Sequence, residues 1–157
     1  MNYKKPLALM LSLGTIGIAM SLKSVLAQNN PLESYRWQNR LLLVFVPKVN
    51  DARLASIQQT QSSLECEFKD RDLLLGIFAN DARSRIGERS LSPYDVAALR
   101  AKYGIQSHQF AVILVGKDGQ PKSELSEVPE IEQIFGKIDS MPMRQEEMSK
   151  NPSPCQG

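Results

Sequence analysis

Residues 41–54 read LLLVFVPKVNDARL. The apolar run Leu41–Val46 ends at Pro47, and a helical pattern begins at Asp51. A continuous run of this length reads as a strand covered on both faces. Asp51 suits a helix N-cap, because its short side chain can accept from a free N–H of the first turn. A buried strand that turns directly into a helix is how a β-α-β unit begins. The junction itself holds Pro47, Lys48, Val49 and Asn50, none of which can carry electrons.

Working outward, Leu54, Ile57, Leu64 and Phe68 share one face at helical spacing. The helix is therefore expected to reach Phe68, with Cys66 late in it and on the opposite side. Leu73–Ala79 is a second buried strand, and residues 80–91 read as a polar loop in which Arg83, Arg85 and Arg89 are nearly balanced by Asp81 and Glu88. Ser92, Pro93 and Asp95 mark a helix start, and Gly104 marks its end. Residues 110–115 form a third strand. The Asp-Gly of GKDG, residues 116–119, signals a hairpin, and Pro121 makes the returning strand an edge. Ile131, Ile134, Phe135 and Ile138 then line one face of a helix opened by Pro129. The order β-α-β-α-β-β-α predicts an α/β domain over residues 35–148. It has a mixed four-stranded sheet with flanking helices, in the connectivity of a minimal thioredoxin fold.

The ends read differently. Residues 1–27 have the form of a signal peptide, with Lys4 and Lys5 ahead of an apolar run and Val25 and Ala27 at the cleavage positions. The expected address is periplasmic or extracellular, with no stable membrane anchor after cleavage. Residues 28–34 are expected to be a flexible lead-in and residues 149–157 a disordered tail. Removing Lys4, Lys5 and Lys23 from the 19 Lys plus Arg leaves 16 against 17 Asp plus Glu. A nearly neutral chain lacks the basic footprint of a nucleic-acid binder.

Four segments together resemble one bacterial family: YRWQNRLLLVF (35–45), DRDLLL (70–75), VGKDG (115–119) and IDSMPMRQEEM (138–148). The family is domain of unknown function 4174, thioredoxin-like and related to domains of secreted animal matrix proteins. The resemblance covers residues 32–148. It implies a fold and an export route but no catalytic residues. The chain departs from working thioredoxins at two points. It has no Cys-x-x-Cys after the first strand, and no proline in QSHQF (106–110), where a cis-proline would face the dithiol.

The chemistry-bearing residues are few. The two cysteines, Cys66 and Cys155, could pair in an oxidising compartment. Cys66 could alternatively serve a peroxiredoxin-like thiol peroxidase. Its neighbours Glu65 and Glu67, and a position near a helix C-terminus, would oppose its thiolate. Met141, Met143 and Met148, with His108, form a thin soft-metal set of the kind that suits Cu(I), against a reading in which Met141 and Met143 simply pack under the sheet and Arg144 pairs with Glu147 or a backbone carbonyl. Lys117, Asp118 and Arg144 are the candidate binding residues. Lys117 could meet an anionic ligand, although an exposed turn is the leading account of Lys117 and Asp118. Trp37 is expected as a lid on the core. No cofactor is implied. The functional expectation is a binding or accessory protein of the cell envelope, acting on an unidentified protein or small molecule.

Overall fold

The computed structural model describes residues 30–155; residues 1–27, expected as a signal peptide, lie outside the described residues. The strands are β1 (Arg40–Val46), β2 (Leu73–Ala79), β3 (Arg85–Ile86), β4 (Arg89–Ser90), β5 (Ala111–Val115) and β6 (Pro121–Leu125). The helices are α1 (Ala52–Ser63), α2 (Glu65–Asp70), α3 (Pro93–Tyr103), α4 (Ile131–Asp139) and α5 (Pro142–Lys150). The sheet order is β4-β3-β2-β1-β5-β6. β1 runs parallel to β2 and antiparallel to β5, and β6 returns antiparallel to β5. The four strands β2-β1-β5-β6 therefore carry the expected thioredoxin-like connectivity.

The sheet has six strands rather than four. The segment expected as a loop over 80–91 contains the β3–β4 hairpin, turning at Gly87 with φ 54°. Ile86 is the reason: it is 1% exposed and pairs with Gly76, so this edge closes one flank of the core.

All seven residues of β1 are buried. Leu42, Val44 and Val46 face α1 and α4, meeting Leu54, Ile57, Ile134 and Ile138. Leu41, Leu43 and Phe45 face the other way, toward Tyr35, Ile86, Leu91 and Leu99. Strand alternation thus feeds two cores from one central strand. Asp51 accepts from the Arg53 N–H at 2.9 Å, and Ser92 and Asp95 form a reciprocal capping box. Gly104 ends α3 at φ 67°.

Four local expectations change. The helix after β1 breaks at Leu64, with φ −120° and ψ 36°, so Cys66 stands in the first turn of α2 and not late in a long helix. The lead-in is not free of structure: Leu32 is 3% exposed beside Tyr35, and Glu33–Tyr35 forms a 3-10 turn. The tail begins later than expected. α5 continues through Lys150, and Cys155 is bonded to Cys66, with Cα atoms 5.7 Å apart. Trp37 is not a lid. It takes φ 64°, donates its N–H to the Lys117 carbonyl at 2.6 Å and leaves its ring 58% exposed under the Arg36 guanidinium. The left-handed turn that feeds β1 swings the ring outward.

Gly76 marks the tightest point of the sheet. A Cβ there would lie 2.8 Å from Leu43 Cδ2 and 3.1 Å from Phe78 Cε2. Gly76→Ala is expected to cost about 1–3 kcal/mol, the usual range for overpacking a core. Urea denaturation midpoints of the two proteins check it, and equal midpoints would remove this reading.

Candidate functional site

The two ends of β1 differ in kind. At its C-terminal end lies the corner where a dithiol would sit. There the Val49 N–H donates to Asp81 Oδ1 at 2.7 Å, and Asp51 is held by Arg53 at 2.6 Å. Hydrogen bonding from Arg53, opposed by slight desolvation, holds the Asp51 carboxyl below its usual range. Arg53 also stacks over the Phe110 ring at 4.2 Å. Arg100 Nη2 donates to the carbonyls of Val46 and Phe78, which close the ends of β1 and β2. No cis peptide bond occurs among the described residues. The corner is a scaffold of caps and ion pairs.

At the N-terminal end, the chain gathers its charges. Arg40 is 1% exposed. Its guanidinium holds Glu147 in a two-pronged contact, Nη1–Oε2 at 3.0 Å and Nη2–Oε1 at 3.2 Å. Nη1 also donates to the Arg71 carbonyl at 2.9 Å. Lys117 Nζ bonds the same Glu147 at 2.7 Å and Asp72 at 2.7 Å. Arg144 spans Asp70 and Asp139, and Arg71 returns to Asp139 at 2.7 Å. Eight charged side chains from β1, the α2–β2 junction, the β5–β6 turn, α4 and α5 thus close one lattice.

Topology explains the meeting. β1 and β2 are parallel neighbours, so the residues that lead into them lie side by side. The β5–β6 turn falls at the same end, because β5 is antiparallel to β1. Burial favours the neutral form of Glu147, but hydrogen bonds from Arg40 and Lys117, with their charges, outweigh it and hold the carboxyl below its usual value. Desolvation likewise opposes the Arg144 charge, and the bonds from Asp70 and Asp139 more than offset it.

Lys117 and Asp118 part company. Lys117 is not an exposed turn residue: its side chain is 10% exposed and spent on two carboxylates. Asp118 accepts from Lys122 at 2.6 Å and from the Gln120 N–H, while Gly119 alone in the turn takes positive φ, at 77°. Arg144 is a buried tie rather than a ligand-facing group: it donates to the Asp70 carbonyl at 2.8 Å as expected and stands 3.8 Å from Glu147, while its closest charged partners are Asp70 and Asp139. Met141 packs against the core, whereas Met143 is 39% exposed and does not pack under the sheet. His108 precedes β5 and so lies at the opposite end of the sheet from both. Cys66 is exposed and carries no thiol, being bonded to Cys155. Arg40, Asp70, Asp72 and Asp139 escape the sequence reading as site residues, and Glu147 enters it only as a partner of Arg144, not of Arg40 and Lys117. The signal was present in an arginine heading a fully apolar strand and an Asp-Arg-Asp heading its parallel neighbour.

Beside the lattice opens a cleft of about 610 Å³, walled by Arg40, Lys117, Lys122, Lys137, Met141 and Met143. Small-molecule sites typically occupy roughly 300–1,000 Å³. Arg40 Nε is buried in this region without a hydrogen-bond partner. Such an orphaned donor costs about 1–3 kcal/mol.

The strand order and the empty dithiol corner define a thioredoxin-like domain without the dithiol. Residues 31–147 match the family described as Domain of unknown function (DUF4174), and the chain belongs to it. Human sushi repeat-containing protein SRPX is 29% identical over 121 residues, and its rat counterpart is 28% identical. The match takes in 74% of this chain and 26% of those proteins, so the chain spans about a quarter of the length of these relatives. The mitochondrial 2-Cys peroxiredoxin of Plasmodium falciparum superposes with a TM-score of 0.45 and 13% identity, over 78% of this chain and 84% of that one. Each of the four segments behind the family resemblance sends at least one residue into the charge lattice.

Glu147→Gln leaves Arg40 and Lys117 without their shared counter-charge. The expected loss is roughly 2–4 kcal/mol, below the full cost of breaking a buried pair because Glu147 is partly exposed. A carboxyl held low in the folded state contributes stability above its unfolded value and loses it as pH falls through the folded one. The parent should therefore weaken on acidification below its usual value of 4.5. The variant should show a shallower acid slope. Urea titrations across that range check both, and parallel slopes would contradict the assignment.

Proposed function

We propose that this protein is an exported thioredoxin-like module that works by binding, and that its working end is the charged end of the sheet. One observation carries the reading: the corner that would hold the dithiol contains Pro47–Asn50, while the chain's two cysteines are bonded to each other elsewhere. Electron transfer has no group to use at that corner. The other end offers a cleft with fixed charges and an apolar wall, which is the usual make-up of a binding site.

Export is part of the proposal. The leader-like residues 1–27 support it. A Cys66–Cys155 bridge also suits an oxidising compartment, since cytosolic thiols are kept reduced. The resulting address is the periplasm or the extracellular space, and the occupant is a small molecule or a protein partner.

A second reading has one observation on its side. Cys66 stands exposed in the first turn of α2, and Cys155 is within bonding reach. In a thiol peroxidase, the Cys66 thiolate would attack the peroxide and become a sulfenic acid, releasing water or an alcohol. Cys155 would then condense with it to the disulfide, releasing water, and an external dithiol would reopen the bond. The acids Glu65 and Glu67 on either side oppose that thiolate.

The purified chain from Gln28 to Gly157 tests both. No catalysis of insulin reduction by dithiothreitol is expected, and turnover above the uncatalysed rate would sink the binding reading. Peroxide consumption with excess dithiol, lost in Cys66→Ser, would establish the peroxidase. Cell fractionation with N-terminal sequencing should find the mature chain outside the cytoplasm and starting at Gln28.

A further inference from the structure

We propose that the cleft between the β5–β6 turn and the α4–α5 junction binds the anionic head of a small organic molecule, a carboxylate or a phosphate monoester, with an apolar body beside it. The inference deepens the binding reading above and rests on it. It names the chemistry of the occupant.

Charge gives the first argument. The wall carries Arg40, Lys117, Lys122 and Lys137, and its single acid is Asp118. These cations are not equally available. Arg40 and Lys117 are engaged from behind by Glu147 and Asp72. Lys137 is exposed and enters no ion pair among the described residues. Lys122 is paired with Asp118, but both are about one-third exposed, and such a pair exchanges partners at little cost. The free charge therefore suits one small anionic group rather than a polyanion.

Backbone gives the second. α5 has nine residues and opens on the cleft at Met141–Met143. Its N-cap is Met141, which has no side-chain acceptor, and no acid stands in its first turn. A helix leaves its first N–H groups without intrahelical acceptors. Here Pro142 has none to offer, so Met143 and Arg144 supply them. With the positive end of the helix dipole, they favour an anion at this point.

The buried wall gives a third, independent observation. Arg40 is 1% exposed, uses both terminal nitrogens, and leaves Nε as a donor without a partner. An oxygen brought in from the cleft supplies the missing acceptor. Gly116 keeps the site narrow: a Cβ there would fall 2.5 Å from Lys122 Cε and 2.7 Å from Asp118 Oδ1. Glycine there lets Lys122 and Asp118 lie close over the turn without either side chain shifting. Met141 and Met143 provide the polarizable surface for the remainder of the ligand.

The test is a ¹⁵N NMR titration of the intact chain from Gln28 to Gly157 with phenyl phosphate, benzoate and, as the neutral control, benzyl alcohol. Saturable shifts are expected at residues 116–122 and 137–144 with at least one of the two anions, and the tighter of them identifies the head group. Lys137→Gln and Lys122→Gln should each weaken that anion by about tenfold, corresponding to about 1.4 kcal/mol. Met143→Glu places a carboxylate at the α5 N-terminus, where it stabilises the helix and competes with the ligand. Weaker binding with an unchanged or raised melting temperature is expected of it. Failure of both anions to saturate, shifts reproduced by benzyl alcohol, or unchanged affinity in all three variants would overturn the proposal. The insulin assay is read on the same sample, so an empty cleft with no reductase turnover removes this site while leaving the non-redox binding reading intact.

Discussion

One carboxylate holds the architecture together. Glu147, near the end of the last helix, grips Arg40 at the head of the central strand and Lys117 in the turn of the outer hairpin. Without it, a guanidinium that is 1% exposed would sit in the sheet with its main counter-charge removed. Removing one partner of a buried pair is far more costly than the net gain from forming it. The lattice therefore acts as a condition on assembly. α5 must dock for β1 to tolerate its first residue, and the β5–β6 turn must form for α5 to dock well.

The same arrangement divides labour between the ends of the sheet. Apolar packing from β1 into two cores supplies cohesion along the middle. Near the C-terminal ends of β1 and β2, Arg100 bonds the carbonyls of Val46 and Phe78 and ties the two strands together. Each end keeps one buried guanidinium Nε without a partner, Arg100 at this one and Arg40 at the other, but only at the N-terminal end does it border a cleft shared with a helix start and with Lys137, which enters no ion pair among the described residues. One rim of the sheet is built of caps and ion pairs, and the other gathers charged groups around an opening.

The central architecture was legible because it is written in local signals. The apolar run of β1, the Asp51 and Ser92 caps, the Gly104 stop and the GKDG turn each depend on neighbours in sequence. What could not be read depended on distance. The Arg89–Ser90 strand exists because Ile86 finds Gly76 across the sheet, and no periodicity marks two-residue strands. The break at Leu64 lies inside an unbroken apolar spacing, so the position of Cys66 within its helix was misread. Trp37 was assigned to the core by its size, whereas its backbone angle sends it out. The site was half legible. Lys117 and Arg144 stood out as charges in distinctive segments, but their partners Asp70, Asp72, Asp139 and Glu147 are ordinary acids until the chain is folded. Family resemblance marked all four segments without saying that they meet.

The bridge between Cys66 and Cys155 spans 89 positions and encloses every element from β2 to α5, but β1 lies outside it. Tension applied between the chain ends would run through β1 and α1 to Cys66, cross the two sulfurs and leave by the tail. The enclosed strands and helices would carry none of it directly. Under load, the molecule would yield by extraction of its most buried strand from a ring that stays shut. Its extension would stop short of the full contour until the sulfurs were reduced. The covalent link thus protects the periphery and makes the centre the mechanical fuse.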